Sequence, residues 1–352
     1  MGSLLVTGFP GFIGTRLVAR LLADSPDARV VALVEPRMAE RAREVAAALP
    51  GGDRVTVQPG DIAAPLLGVD DATYERLIAE TTEIHHLAAI YDLAVPDAIA
   101  ERVNVQGTQH VLDLARSAQR LERHHYVSTA YTAGWRSGRV YESELAAGQT
   151  FKNHYESTKF AAEVLVRNTL DEVATTIYRP AIVVGDSRTG ETQKFDGPYY
   201  LLRTISRLHG RPLPQIGRGD APFNVVPVDF VVDAIAAART DAEVVGRTLH
   251  LVDPDPMSSA QLMRVLAREY AGREPSYRIP PGIVEQSLRF KPVRSLLGGT
   301  PRQSIVYLNH PVSFDTTNAD ALRRRAGLEA PVFGDYAANI VRFFRENERA
   351  IA

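Results

Sequence analysis

The sequence predicts an α/β fold: a doubly wound parallel sheet with helices on both faces and a smaller, interleaved C-terminal region. Three observations carry that prediction. Short apolar runs bounded by turn residues alternate with stretches of 3.6-residue periodicity through the first half of the chain. A turn with three glycines joins the first run to the first helical stretch. After Pro180 the alternation yields to a segment, 185–223, rich in Gly, Pro and basic groups.

The predicted strands are SLLVTG (3–8), RVVALVE (29–35), RVTVQPGD (54–61), EIHHLAA (83–89) and HHYVSTA (124–130), followed by ATTIYRP (174–180) and RTLHLVD (247–253). Each is rich in Val, Ile or Leu, or runs into turn residues, as buried strands do. FIGTRLVARLLA (12–23) and ERVNVQGTQHVLDLARSAQ (101–119) read as amphipathic helices between them. Strands alternating with helices give βαβ units and a sheet covered on both faces. NVVPVDFVVDAIAAA (224–238) is expected to return to that sheet as a strand and a helix. Residues 1–180 thus form the sheet domain, completed by 224–252. Residues 181–352, with further Pro-containing stretches at 253–256 and 280–292, supply mainly a substrate-binding region and C-terminal helices.

Composition narrows the function. A net charge of −2 over 352 residues gives no electrostatic reason to bind nucleic acid. The absence of cysteine excludes disulfides, thiolate metal sites and thiol nucleophiles. No apolar run reaches the roughly 18 residues of a membrane span, and no secretory signal opens the chain, so a cytoplasmic location is expected.

Gly8, Gly11 and Gly14 lie three apart in LVTGFPGFIG, with Pro10 among them. A glycine triplet alone marks only a tight turn. Between a strand and an amphipathic helix it marks the place where a dinucleotide pyrophosphate meets backbone N–H groups, in a Rossmann-type domain. Gly8, Phe9, Pro10, Gly11, Phe12, Ile13 and Gly14 are therefore assigned to cofactor. Glu35 closes the second strand, where an acid bonds the adenosine ribose, and Arg37 and Arg41 follow, where a base holds a 2′-phosphate. Asp61 and Ile62 close the third strand; Asp61 either reaches the adenine or caps a helix.

Tyr155 and Lys159 are four apart, on one face of a helix. A phenol titrates near 10 and needs a nearby cation to work as an acid at neutral pH. Lys159 would supply that charge and bond the nicotinamide ribose. Thr129 lies at the C-terminal edge of the fifth strand, where open α/β sheets bind ligands; Ser128 and Thr129 otherwise simply turn the chain.

Together these residues resemble the extended short-chain dehydrogenase/reductases, which implies a Thr129–Tyr155–Lys159 triad. The resemblance extends to Asn104-Val-Gln-Gly107-Thr108, whose Asn supports the lysine through water. It also covers His86-Leu-Ala-Ala89 (Ala88 and Ala89 beside cofactor) and Arg179-Pro180, with Ile182 beyond. GDSRTGETQKFDGPYYLL (185–202), HHLAAIYDL (85–93), NVVPVDFVVDAI (224–235) and LNHPVSFDTTNA (308–319) are similar to the male-sterility-type fatty acyl-CoA reductases and to carboxylic acid reductases. That resemblance implies reduction of an acyl thioester, carried on coenzyme A or phosphopantetheine, to an aldehyde. It places Ser128, Tyr91 and Tyr199 near substrate and favours NADP(H), with NAD(H) the alternative. The sequence departs from those reductases at Glu35, where they carry Arg, while Arg37 keeps a base two positions on. Two other readings share the fold: a hydroxysteroid- or β-keto-type dehydrogenase, and a non-catalytic dinucleotide sensor. A homodimer is left open.

No metal is expected. His85-His86 and His124-His125 point to opposite faces of their strands, so neither pair shares an ion. Asp229 and Asp233 read as helix-start residues favourable to the dipole. The bases Arg188, Lys194, Arg203, Arg207, Arg211 and Arg218 form either a solvated face or a contact for the phosphates of the thioester arm.

Overall fold

The structure, a computed structural model, describes residues 2–91, 95–208, 210–287, 289–290 and 304–349. The last two residues of HHLAAIYDL and the end of the stretch 280–292 lie outside them.

Seven parallel strands form one sheet: β1 (Ser3–Thr7), β2 (Val30–Val34), β3 (Val55–Pro59), β4 (Thr81–His86), β5 (Arg123–Val127), β6 (Thr175–Pro180) and β7 (Thr248–Leu251). Their order is β7-β6-β5-β4-β1-β2-β3, with every pairing parallel. The central strands are buried on both faces, as Leu5, Val6, Ile84 and Ile177 show. Helices α1 (Phe12–Asp24), α2 (Ala39–Ala48), α3 (Asp71–Glu80), α4 (Gly107–Ser117) and α5 (His154–Arg167) follow the strands as the periodicity predicts. The fold class is therefore as expected.

The order reverses between β1 and β4. Connections leave these two strands in opposite directions, so a crevice opens at their C-terminal ends. Thr7 sits at the edge of that crevice, in register with His86 of β4.

One strand goes elsewhere. Val225–Pro227 pairs with Ile182–Val184 in a two-stranded sheet, because Leu251 of β7 already holds the place beside Pro180. Helix α7 (Val228–Ala238) then packs on the sheet's other elements through Val231 and Ile235. Asp229 stands in its first turn and accepts from Ser187 N (2.8 Å) and Oγ (2.6 Å). Asp233 is mid-helix instead, and pairs with Arg20 of α1 rather than serving the helix dipole.

A second apolar core joins α6 (Tyr199–Arg207), α8 (Ser259–Ala271) and the C-terminal helix Phe333–Asn347 through Leu202, Leu266 and Phe344. It lies over the strand ends and roofs the crevice. No helix among the described residues is long and apolar enough to cross a membrane.

The histidine pairs behave as ordinary strand residues within each pair, but neighbouring strands bring His85 and His125 together. Their rings stack 4.5 Å apart, and Glu83 Oε2 is 3.3 Å from His85. These three could present ligand atoms to one ion. Arg239 takes both Glu83 oxygens at 2.7 Å, however, so the carboxylate already has its cation.

Candidate active site

A cleft of about 1440 Å³ runs from the glycine turn, past the ends of β4, β5 and β6, to the second core. Gly8 opens it at φ +90°, where a side chain would meet the backbone of Leu87 and Ala88. A Cβ on Gly11 or Gly14 would sit 2.7 or 2.4 Å from the Gly8 carbonyl oxygen. All three glycines are thus required by the turn itself. The turn then leaves α1 beginning with no side-chain cap and no acid in its first turn, a terminus that favours an anion. Phe9, Pro10, Phe12 and Ile13 line the cleft beside it.

Glu35, Arg37 and Arg41 line the far wall. Arg37 Nε donates to Glu35 at 2.7 Å, so the acid at the end of β2 carries its own counter-charge. Asp61 and Ile62 border the same end. The Asp61 carboxylate accepts from Ala63 N (2.9 Å), closing a local turn instead of capping a helix. Ala88, Ala89, Pro180 and Ile182 complete this wall.

Asn153 caps α5, accepting from Glu156 N at 3.0 Å, and so fixes Tyr155 in the first turn, facing the cleft. The Thr129 hydroxyl, just past β5, stands beside the Tyr155 phenol in the cleft lining. Burial pushes that phenol up to about 12, and the neighbouring Thr129 hydroxyl works against the rise. Lys159, one helical turn on, is buried. Its Nζ donates to Tyr126 Oη (3.0 Å) and the Val127 carbonyl (2.8 Å). Burial lowers it to about 7, with the Glu163 carboxylate opposing. In the structure the direct bonds of Lys159 Nζ thus run to β5.

The remaining candidates are placed as follows. Ser128 lines the cleft, but its hydroxyl donates to Glu163 at 2.6 Å. Tyr91 is half exposed at the mouth, beneath Lys194. Tyr199 is buried, its hydroxyl accepting from Gly185 N at 3.1 Å. Asn104 lies in a π-helical turn, Arg102–Gln106, outside the cleft lining. Its side chain holds Ile90 N (2.8 Å), Ile90 O (3.0 Å) and Thr158 Oγ1 (3.0 Å), binding the loop after β4 to α5. Sequence reasoning missed Glu163. It stands four residues past Lys159 on the same face, a spacing that points to it, and buried Arg179 clasps it with Nη2 at 2.6 Å. It also missed Tyr307, whose hydroxyl donates to Glu156 (2.6 Å) at the substrate end of the cleft.

Residues 6–235, more than half of the chain, match the NAD-binding family described as male sterility protein. This chain belongs to that family. It is an NAD(P)-dependent oxidoreductase of the extended short-chain type. It is 33% identical, over 70% of its length, to a hybrid PKS-NRPS synthetase of an Acremonium species. It is 29% identical, over 71% of its length, to a linear gramicidin synthase of Brevibacillus parabrevis. The chain spans only 6% and 5% of those two proteins. An aldehyde reductase of Aspergillus flavus is 29% identical over 94% of this chain and 35% of its own. Among solved structures, the terminal R domain of the myxalamid PKS-NRPS pathway superposes with a TM-score of 0.82 at 25% identity, covering 100% of this chain and 92% of that one.

Proposed function

We propose that this protein reduces an acyl thioester to an aldehyde and a free thiol, with NADPH preferred. One observation carries the proposal: Thr129, Tyr155 and Lys159 converge on a single cleft that begins at an uncapped helix terminus and ends in an apolar chamber. Leu201, Phe223, Met263 and Leu308 line that chamber. The relatives named for peptide and polyketide synthetases, and the R domain, support this reading.

The dinucleotide fits these residues: the glycine turn admits its pyrophosphate to the first N–H groups of α1, and Glu35, Arg37 and Arg41 face its adenosine end. When bound, its nicotinamide supplies the hydride that the thioester carbonyl carbon accepts. Thr129 and Tyr155 hold the carbonyl oxygen as negative charge grows on it. Tyr155 gives that oxygen its proton, and the resulting hemithioacetal releases thiol on collapse. Lys159 grips the ribose and places a positive charge beneath the site. With Glu35 neutralised by Arg37, Arg41 and the outer face of Arg37 can receive a 2′-phosphate.

The test follows NADPH and NADH oxidation together with thiol release, using acyl-CoAs and acyl-pantetheines of several chain lengths. Thiol release matching NADPH oxidation supports the proposal. Turnover of ketones alone, with every thioester inert, would replace it with the hydroxyl/ketone dehydrogenase reading.

A further inference from the structure

Beneath the cleft lies a buried chain of polar groups that the triad does not account for. Thr7, His86, Thr108 and Tyr126 come from β1, β4, α4 and β5, and none is more than 1% exposed. Thr7 Oγ1 meets His86 Nδ1 at 2.7 Å, and His86 Nε2 meets Thr108 Oγ1 at 3.0 Å. Thr108 Oγ1 donates to the Asn104 carbonyl at 2.7 Å and stands beside the Tyr126 phenol. Tyr126 Oη in turn accepts from Lys159 Nζ at 3.0 Å.

The directions of these bonds are determined by counting protons. Thr108 gives its only proton to the Asn104 carbonyl, so it accepts from His86 Nε2–H and offers the neighbouring phenol a lone pair. His86 is then neutral, with Nδ1 accepting from Thr7, consistent with burial holding its imidazole well below the usual range. The Lys159 ammonium has protons only to give, so Tyr126 Oη turns a lone pair toward it and its own proton away.

We propose that Tyr126 is a positioning residue that fixes Lys159 Nζ and sustains its positive charge, with Thr108 and His86 holding the phenol in its accepting orientation. This rests on the proposed catalytic role of Lys159. Few groups offer that ammonium an acceptor. On α5 it faces the Glu163 carboxylate, which Arg179 and Arg167 already pair. From β4 it faces neutral His86, and from β5 the Tyr126 hydroxyl, the Val127 carbonyl and the Tyr126 ring, 4.5 Å from Nζ. Removing the hydroxyl therefore removes one of two direct bonds to a buried cation.

Tyr126→Phe keeps the ring and deletes that bond. The chain has four lysines, so ¹³C NMR of labelled lysine side chains can follow Lys159 alone, identified by its loss in Lys159→Met. In Tyr126→Phe the Lys159 titration should move to lower pH by about one unit, a roughly tenfold loss of ammonium above its midpoint. The other three lysines should stay unmoved. The alkaline limb of kcat/KM should move with it, leaving the low-pH rate near wild type. Thr108→Val should act in the same direction more weakly, and Thr108→Ser should restore the wild-type profile. An unmoved Lys159 titration, in Tyr126→Phe or, should that variant not fold, in Thr108→Val, would overturn the assignment. So would a loss of rate uniform across pH. A wild-type protein inert toward every thioester, with the NMR shift present, would instead count against the proposed reaction while leaving the network intact.

Discussion

In the proposed mechanism the charge state of Lys159 sets the working pH. Its ordinary value lies near 10.4, and burial brings it to about 7, so the ammonium is present below that value and lost above it. The kcat/KM for the dinucleotide, which reports the free enzyme, should accordingly decline as pH rises through about 7. A flat profile across that range would mean that the ribose is held without the charge. Arg37 decides a different preference. It is three-quarters exposed and bonded to Glu35, so Arg37→Ala both removes a phosphate partner and bares an acid. Affinity for NADPH should drop about tenfold or more while NADH is held as well or better, which isothermal titration of both cofactors would measure. Glu35 and Arg37 were readable from their place after β2. Their mutual pairing was not, since it depends on the backbone turning within three residues.

Helix α5 carries the site as a unit, with Tyr155, Lys159 and Glu163 spaced at single turns along one face. Glu163 receives Arg179 from β6, Arg167 from its own helix and the Ser128 hydroxyl from the end of β5. Cutting one partner from such a buried pair leaves an uncompensated charge. Glu163→Leu should therefore destabilise the fold by about 3–5 kcal/mol in urea unfolding; a loss within the range of a surface substitution would show that the pair does not anchor the helix. The glycine turn makes the converse point. From sequence, its glycines read as space for a ligand. In the structure, the Gly8 carbonyl fills the space that a Cβ on Gly11 or Gly14 would need. Gly14→Ala should thus lower the melting temperature as well as dinucleotide affinity, whereas a ligand-only role would spare stability. The Tyr-Lys spacing was legible because a helix repeats every 3.6 residues. Tyr126 was not, because its partner Lys159 comes from another element and leaves no local pattern.

Across the whole molecule, what could be read was whatever repeats. Seven parallel strands alternating with helices announce the sheet and so the position of the cleft at its switch point. The roof gave no such signal. It is stitched by three-residue strands pairing distant segments, 138–140 with 312–314, 214–216 with 277–279 and 182–184 with 225–227, and three residues are too few to show a period of two. The same assembly explains why the cleft combines a dinucleotide site built by the first half of the chain with an apolar chamber built by the second. In the proposed reaction the chemistry depends on one hydroxyl at their junction, that of Tyr155. Tyr155→Phe preserves the ring, its packing and the cleft, and deletes only the proton donor. Measured with an acyl thioester and NADPH, kcat should drop by about 10²- to 10⁴-fold, while NADPH binds with unchanged affinity. A Tyr155→Phe protein that keeps most of its thioester reductase rate would contradict the account.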